Sequence, residues 1–339
     1  MKAILLTEYH NNLSDLLKNL EVREIKTAPL KDDDVLVKID GSPCNPSDIA
    51  FMRAMYGVSK RLPTVPGFEG SGIIVETGSS AEAKALLNKR VSCFAQNDEI
   101  GTWAEYFKTS WHNCIPVSDK IAPEQAACFF VNPFTAFGLF ETAINYGYKC
   151  IIQNAAAGQV GRFIRVMAKE KGIRLINIVR RPQHEELLKA EGEEFVLNMR
   201  DKSFAENFDQ LMLKGEPCIA FDAVGGEHSG FLINNMSAES RLLVYGGLSA
   251  KAIGEIDVLE IIFKGKKIEG FNLGSWIATK NKAEKDEISA YLQELILSKK
   301  CETKIQRIIG FDEIREGLYQ YLTKMSDGKV ILKPAHRTL

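Results

Sequence analysis

The segment from Lys149 to Gly161, KCIIQNAAAGQVG, constrains the fold of this 339-residue chain more than any other. KCIIQNA reads as a buried strand. QVGRFIRVMAKEKG reads as a helix, with Val160, Phe163, Ile164, Met167 and Ala168 on one stripe at helical spacing. Between them lies a small-x-Gly-x-x-Gly turn with alanine in the place of the first glycine. At such a turn Gly158 lets the backbone approach a pyrophosphate, and Gly161 lets the helix pack closely on the strand. The helix N-terminus then offers free N–H groups and a positive dipole end to the phosphates. Small residues at a strand-to-helix turn also serve plain packing. The strand before and the helix after favour the dinucleotide reading.

The next strand, RLINIV, indicates which dinucleotide. In NAD-binding folds an acidic residue about 20 positions on accepts hydrogen bonds from the ribose 2′-hydroxyl. Here that place reads Ile178-Val179-Arg180-Arg181-Pro182. Two guanidiniums suit a 2′-phosphate, which they can clamp in bidentate fashion, so NADP(H) is the expected cofactor. The alternative is a pair of solvated surface arginines.

The alternation continues through PQHEELLKAEG, EEFVLN, FAENFDQLML, PCIAFDAVGG and RLLVYGG. Strands separated by helices in this rhythm predict parallel β-α-β units with helices on both sheet faces. Residues 1–118 have a different texture, β-rich and irregular, with strand-like runs at 34–39, 70–76 and 89–95. PCNPSD (43–48) and LPTVPGFEG (62–70) are expected to be loops, because proline removes ladder donors. The tail returns to two helices and a last strand, GKVILKP. The length alone suggests two domains at ~150 residues each. The expected fold is α/β: a Rossmann-type doubly wound parallel sheet over 119–274, inserted into a β-rich domain built from 1–118 and 275–339.

Composition removes several function classes. Lys plus Arg number 43 against 44 for Asp plus Glu, a net charge of −1, so nothing drives the chain toward nucleic acid or an anionic membrane. No stretch approaches ~18 apolar residues, and MKAILLTEYHNN turns polar too early for a signal peptide. Cysteines at 44, 93, 114, 128, 150, 218 and 301 are scattered, which reads as reduced thiols in a cytoplasmic protein. No run of four closely spaced cysteines forms a zinc lobe, His112 and Cys114 are too few for a site, and no G-x-S-x-G elbow appears. Hydride chemistry in this chain is therefore expected to run without a Lewis acid.

Several short segments in order carry a family likeness: Asn45-Pro46-Ser47-Asp48, Tyr56-Gly57 with Leu62-Pro63, and Val131-Asn132-Pro133-Phe134-Thr135-Ala136. Ile152 to Ala156, Tyr245-Gly246-Gly247-Leu248, Ile262-Phe263-Lys264 and Gly270 to Trp276 follow. Through them the whole chain resembles the zinc-free branch of the medium-chain dehydrogenase/reductases, above all the 2-enoyl thioester reductases and the NADPH:quinone oxidoreductases. The resemblance implies a GroES-like catalytic domain around the Rossmann domain. In zinc-dependent relatives a cysteine and a histidine ligand stand where this chain has Asn45 and Phe68, so it also implies no catalytic zinc.

Carried over by position, the resemblance makes Tyr56 the proton donor and places Asn132 and Thr135 near the nicotinamide. Ala157, Gly158, Gln159, Val160 and Gly161 would hold the pyrophosphate, with Arg180 and Arg181 at the 2′-phosphate. Tyr245, Gly246, Gly247 and Leu248, then Phe271, Asn272 and Leu273, and finally Lys329 would complete the cofactor site. Asn45 and Trp276 would face the substrate. Three departures bear on the acceptor: Met55 before the tyrosine, Asn272 where tryptophan is common, and an arginine segment one residue shorter.

Tyr56 also has a chemical case. Hydride delivery to an enone or enoyl thioester develops an enolate that must be stabilised and protonated, and a phenol with pKa ~10 can do both. Its bland alternative is a loop tyrosine with its hydroxyl in water. For Trp276 the alternative is plain packing, and for Lys329 a turn lysine. Three functions are consistent with these residues. They are an NADPH-dependent reductase of activated C=C bonds in small-molecule acceptors, an NADPH:quinone reductase, and an NADPH-binding protein without turnover. The segment Glu260 to Phe271 resembles the family's edge element, which implies a homodimer.

Overall fold

Six strands form the expected parallel sheet: β1 (Cys150–Gln153), β2 (Arg174–Val179), β3 (Phe195–Asn198), β4 (Cys218–Asp222), β5 (Arg241–Val244) and β6 (Lys267–Gly270). Their order in this computed structural model, which describes residues 1–96 and 98–335, is β3-β2-β1-β4-β5-β6. That is the dinucleotide-binding order, with the chain reversing direction across the sheet between β1 and β4. β1 and β4 are buried at every position, as central parallel strands covered on both faces must be. One face packs Ile152, Ile176, Ile178, Ala220 and Leu242 against helices Phe204–Met212 and Glu227–Asn235.

The helix after β1, Gln159–Lys171, buries Phe163, Ile164, Met167 and Ala168 as its stripe predicts, whereas Val160 at its first turn is only half-buried. It stops at Gly172, whose φ of 62° is the left-handed cap that glycine adopts without Cβ strain.

The rest of the chain builds a second unit around a seven-stranded sheet. Its strands run in the order Ile305–Ile309, Lys329–Leu332, Asp34–Pro43, Glu69–Thr77, Arg90–Phe94 and Cys114–Pro116, with Tyr106–Ser110 also paired to Asp34–Pro43. Along Asp34–Pro43 burial alternates with period two, so one strand face supplies Val35, Val37 and Ile39 to a core with Val91, Cys93 and Phe107. A separate antiparallel pair, Lys2–Leu6 with Leu20–Glu24, contributes Ile4, Leu6 and Leu20 to a second core that includes Phe51, Phe68 and Trp103.

Two expectations need correction. PCNPSD is not a loop: Pro43 ends a strand, and Pro46 opens the helix Pro46–Met52. At the first helical position proline lacks only an N–H that would have no helical partner anyway. The units also divide later than texture suggested, into Pro133–Asn281 and Met1–Asn132 with the segment from Lys282. Helix Pro123–Ala127 packs on strands Asp34–Pro43 and Glu69–Thr77, which keeps it with the β-rich unit. At the other boundary Trp276, on helix Leu273–Ala278, lies so near Gly138 that a Cβ there would come within 3.0 Å of the indole ring. That contact holds the helix with the parallel-sheet unit.

Candidate functional site

In the parallel-sheet unit the expected cofactor residues gather at one end. Residues 157–161 follow β1, Arg180 and Arg181 follow β2, Tyr245 to Leu248 follow β5, and Phe271 to Leu273 follow β6. All lie past the carboxyl ends of their strands, where open α/β sheets bind ligands.

The turn itself is held from beneath. Arg165 donates to the Ala156 carbonyl at 2.5 Å and is fixed by Glu191 and Glu193 at 2.7 and 3.2 Å. Gln153 Nε2 donates to the Gly161 carbonyl at 3.2 Å and to Asn177 Oδ1 at 2.7 Å. A Cβ at Gly161 would lie 2.4 Å from the Ala156 carbonyl oxygen, so only glycine permits this approach of helix to strand. Ala155 holds a φ of 49°, a left-handed conformation that costs an alanine about 1 kcal/mol. No side chain caps the helix that begins after Gly158, whereas Asn12, Ser80 and Asp257 cap theirs. The first-turn N–H groups are thus left for a ligand, and the turn fits an anionic pyrophosphate.

Asp222, buried at the end of β4, organises the neighbouring loops. Its Oδ1 accepts from Asn154 Nδ2 at 2.5 Å and from the N–H groups of Val224 and Gly225 at 2.8 and 3.0 Å, while Oδ2 accepts from Ser229. The backbone N–H groups of Tyr245 and Gly246 donate to its carbonyl at 2.9 and 3.2 Å. Arg180 and Arg181 are both exposed where β2 ends. Asn272 caps its helix by accepting from the Ser275 N–H at 2.9 Å, and Leu273 is buried. Trp276 packs between Phe137 and Phe271 and donates Nε1 to Glu141 at 2.9 Å, so packing accounts for much of this residue.

The β-rich unit brings Asn45, Tyr56 and Lys329 into one neighbourhood. Asn45 Nδ2 donates to Glu69 Oε1 at 2.7 Å, and Lys329 Nζ donates to Asn45 Oδ1. The other Glu69 oxygen accepts the N–H groups of Phe130 and Val131 at 3.1 and 2.8 Å, so a carboxylate sits at the positive end of helix Val131–Asn145. Lys329 is buried and belongs to this network. Asp48 accepts from the Asn45 N–H at 2.7 Å and the Phe68 N–H at 2.8 Å, tying together the two positions at which zinc-dependent relatives carry ligands.

Phe68 is filled in by carbon. Its ring lies 5.4 Å from Phe51 and 5.2 Å from Tyr56, with Lys60 Nζ 5.7 Å from its centroid. Burial pushes the Asp48 carboxyl up to about 7 against its two hydrogen bonds, and raises Glu69 as well. It lowers Lys60 to about 8. Burial, helped by the charge of Asp48, also raises the Tyr56 phenol.

Asn132 and Thr135 stand three apart at the start of helix Val131–Asn145, on one helical face. Asn132 Nδ2 is buried and makes no hydrogen bond, which marks it as a donor awaiting an acceptor. Four residues that shape the site carried no role in the sequence reading: Asp48, Glu69, Arg165 and Asp222. For Glu69 a signal existed, an acidic residue between glycines in an apolar segment. For the others the partners lie too far apart in sequence.

Comparison with known proteins bears on this geometry. Residues 31–119 match the alcohol dehydrogenase GroES-like domain. The mitochondrial enoyl-[acyl-carrier-protein] reductase of Arabidopsis thaliana is 30% identical over 312 residues, covering 87% of this chain and 79% of that protein. The protein of the same name from Rattus norvegicus is 31% identical over 297 residues, covering 85% and 77%. A Mesorhizobium loti crystal structure, whose name places it among NADPH:quinone reductases, superposes with a TM-score of 0.90 at 32% identity over 98% of both chains.

Proposed function

Because the chain belongs to the medium-chain dehydrogenase/reductase superfamily, beside its enoyl and quinone reductases, and is an oxidoreductase, we propose that it is a zinc-independent, NADPH-dependent reductase of activated C=C bonds in enones or enoyl thioesters, with Tyr56 as proton donor. The observation that carries this reading is the filling of the two ligand positions beside the tyrosine. The Asn45 amide is committed to Glu69 and Lys329, and the Phe68 ring to Phe51 and Tyr56. Neither an amide so engaged nor a phenyl ring ligates zinc.

Residues 157–161 would hold the pyrophosphate, Arg180 and Arg181 the 2′-phosphate, and Tyr245 to Leu248 with Phe271 to Leu273 the rest of the cofactor. NADPH, when bound, supplies hydride. Asn132 Nδ2, the unpaired donor, would bind a carbonyl oxygen at the nicotinamide end, with Thr135 on the same face. Tyr56 would donate a hydrogen bond to the enolate oxygen or a proton to its carbon, and its raised pKa keeps that proton in place at neutral pH. Lys329 would complete the cofactor site while its ammonium donates to Asn45 Oδ1. Trp276 would offer the acceptor a ring face.

A quinone reductase is the second reading, favoured by the Mesorhizobium loti relative. Following NADPH absorbance with a crotonyl-type enoyl thioester and a quinone in parallel separates the two. Faster turnover of the thioester is expected, and turnover of the quinone alone would move the assignment to the second reading. Elemental analysis finding one zinc per chain that activity requires would overturn the metal-free part. We place the protein in the cytoplasm as a homodimer, on the strength of seven free thiols and the exposed apolar helix Val258–Lys264. No helix among the described residues is long and apolar enough to cross a membrane.

A further inference from the structure

At the amino ends of the central strands, away from the glycine turn, three residues stand in one row of the sheet. Cys150 of β1 is in register with Arg174 of β2 on one side and with Cys218 of β4 on the other. Paired residues on neighbouring strands share a sheet face, and both cysteines join the same core cluster. Arg174 Nη1 donates to Cys150 Sγ at 3.8 Å, and Cys218 Sγ donates to the Glu216 carbonyl at 3.4 Å. Adjacent strands lie about 4.8 Å apart, inside the Cα separation a disulfide spans.

We propose that Cys150 and Cys218 form a peroxide-responsive dithiol that closes reversibly to a disulfide across the two central strands. Cys150 is the nucleophile. The neighbouring Cys218 thiol and the Arg174 guanidinium bring its pKa down against burial and Glu216, and the same pairing pushes that of Cys218 up. The Cys150 thiolate attacks one oxygen of hydrogen peroxide, breaking the O–O bond; the leaving hydroxide takes a proton, giving water and a sulfenic acid. The Cys218 sulfur then attacks the Cys150 sulfur, and the sulfenic oxygen leaves as a second water. Two thiols and one peroxide thus give one disulfide and two waters.

Both thiols are buried, so the oxidant has to be small. A surface hollow of about 380 Å³ lies at this end of the sheet, lined by Lys149 and Pro217, which immediately precede the two cysteines, and by Tyr148, Glu216 and Glu239.

The molecule contains its own control. Cys93 and Cys114 face each other across antiparallel strands with sulfurs 3.8 Å apart. There Cys114, burial and the negative charge of Asp98 all push the Cys93 thiol up, which disfavours attack by its sulfur. Both pairs are register partners on neighbouring strands, but a guanidinium contacts only the first.

The full-length reduced protein, treated with hydrogen peroxide, unfolded, alkylated and mapped without reductant, tests this. A Cys150–Cys218 peptide that dithiothreitol releases is expected, with Cys93 and Cys114 fully alkylated. Cys218→Ser should instead trap a dimedone-reactive sulfenic acid on Cys150. Arg174→Met should slow the reaction about tenfold, as a thiol pKa one unit higher would. Cys150 and Cys218 still alkylatable when surface methionines are oxidised would overturn the proposal. So would linkage of Cys93 to Cys114 at the same rate, or an unmodified Cys150 in the Cys218→Ser protein.

Discussion

In the proposed reaction Tyr56 has to keep its proton until charge develops on the acceptor, and its surroundings suit that role. A half-buried ring against Phe68, with Asp48 near by, disfavours the phenolate. General-acid assistance is typically worth ~10²–10⁴-fold, so Tyr56→Phe should lower turnover of an enoyl thioester by that order. NADPH affinity, measured by calorimetry, should hardly change, because the proposal puts the phenol on the acceptor side. Full turnover in the variant, with a deuterated cofactor showing chemistry to be rate-limiting, would assign the proton to another donor. A quinone is the wrong acceptor for this test, since it needs less proton help.

Asp48 and Asp98 yield a separate prediction at the same scale. Burial raises their carboxyls from 3.8 to about 7 and about 6 in the folded chain. Between pH ~4 and those values the unfolded chain has released protons that the folded chain still holds, so stability falls as pH rises through that window. Above about 7 both states are ionised and the slope from these groups ends. The urea midpoint should therefore decline from pH 5 to pH 7, and Asp48→Asn should flatten the decline. A midpoint that climbs over the same range would contradict the assignment.

The element we assign to the cofactor is the β1 turn with the arginines that follow β2. Charge-assisted hydrogen bonds of ~1.5–3 kcal/mol each from Arg180 and Arg181 should make NADPH bind at least about tenfold more tightly than NADH. Replacing both by serine should bring the two affinities together while leaving NADH binding unchanged. Gly161→Ala tests the other half of the element. Its Cβ would meet the Ala156 carbonyl at 2.4 Å, so the helix must shift from the turn and both cofactors should bind worse. Equal calorimetric affinities in the wild type would remove the arginines from the phosphate site. This element was legible in sequence because all of it is local: strand, turn and helix are contiguous, and the arginines follow the next strand. Helix Pro46–Met52 was misread for an equally local reason, since proline breaks a helix interior but opens a first turn. The network of Asn45, Glu69 and Lys329 was not legible. Its bonds join positions 24 and 284 residues apart, and no periodicity records them.

At the scale of the whole molecule, texture gave two domains but placed both boundaries early, because a helix belongs to whichever sheet it covers and not to the composition around it. The proposed homodimer rests on what remains uncovered. Helix Val258–Lys264 buries none of its residues, with Val258, Ile262 and Phe263 exposed at 64%, 66% and 78%. Leu248 and Leu259 are more than half exposed in the same unit, and β6 ends the sheet with one edge unpaired. A soluble monomer rarely leaves so much contiguous apolar surface, and an open edge invites pairing. A twofold axis beside β6 would satisfy both features at once, continuing the sheet into a second copy and covering each helix with its mate. Light scattering at micromolar concentration should give twice the chain mass. Ile262→Asp with Phe263→Lys should give the chain mass, because charges on that face must lose water against apolar atoms. Since the glycine turn and Tyr56 lie on other segments, the monomeric variant should still bind NADPH. A wild type that scatters as a single chain, or a variant that stays dimeric, would move the interface elsewhere or remove it.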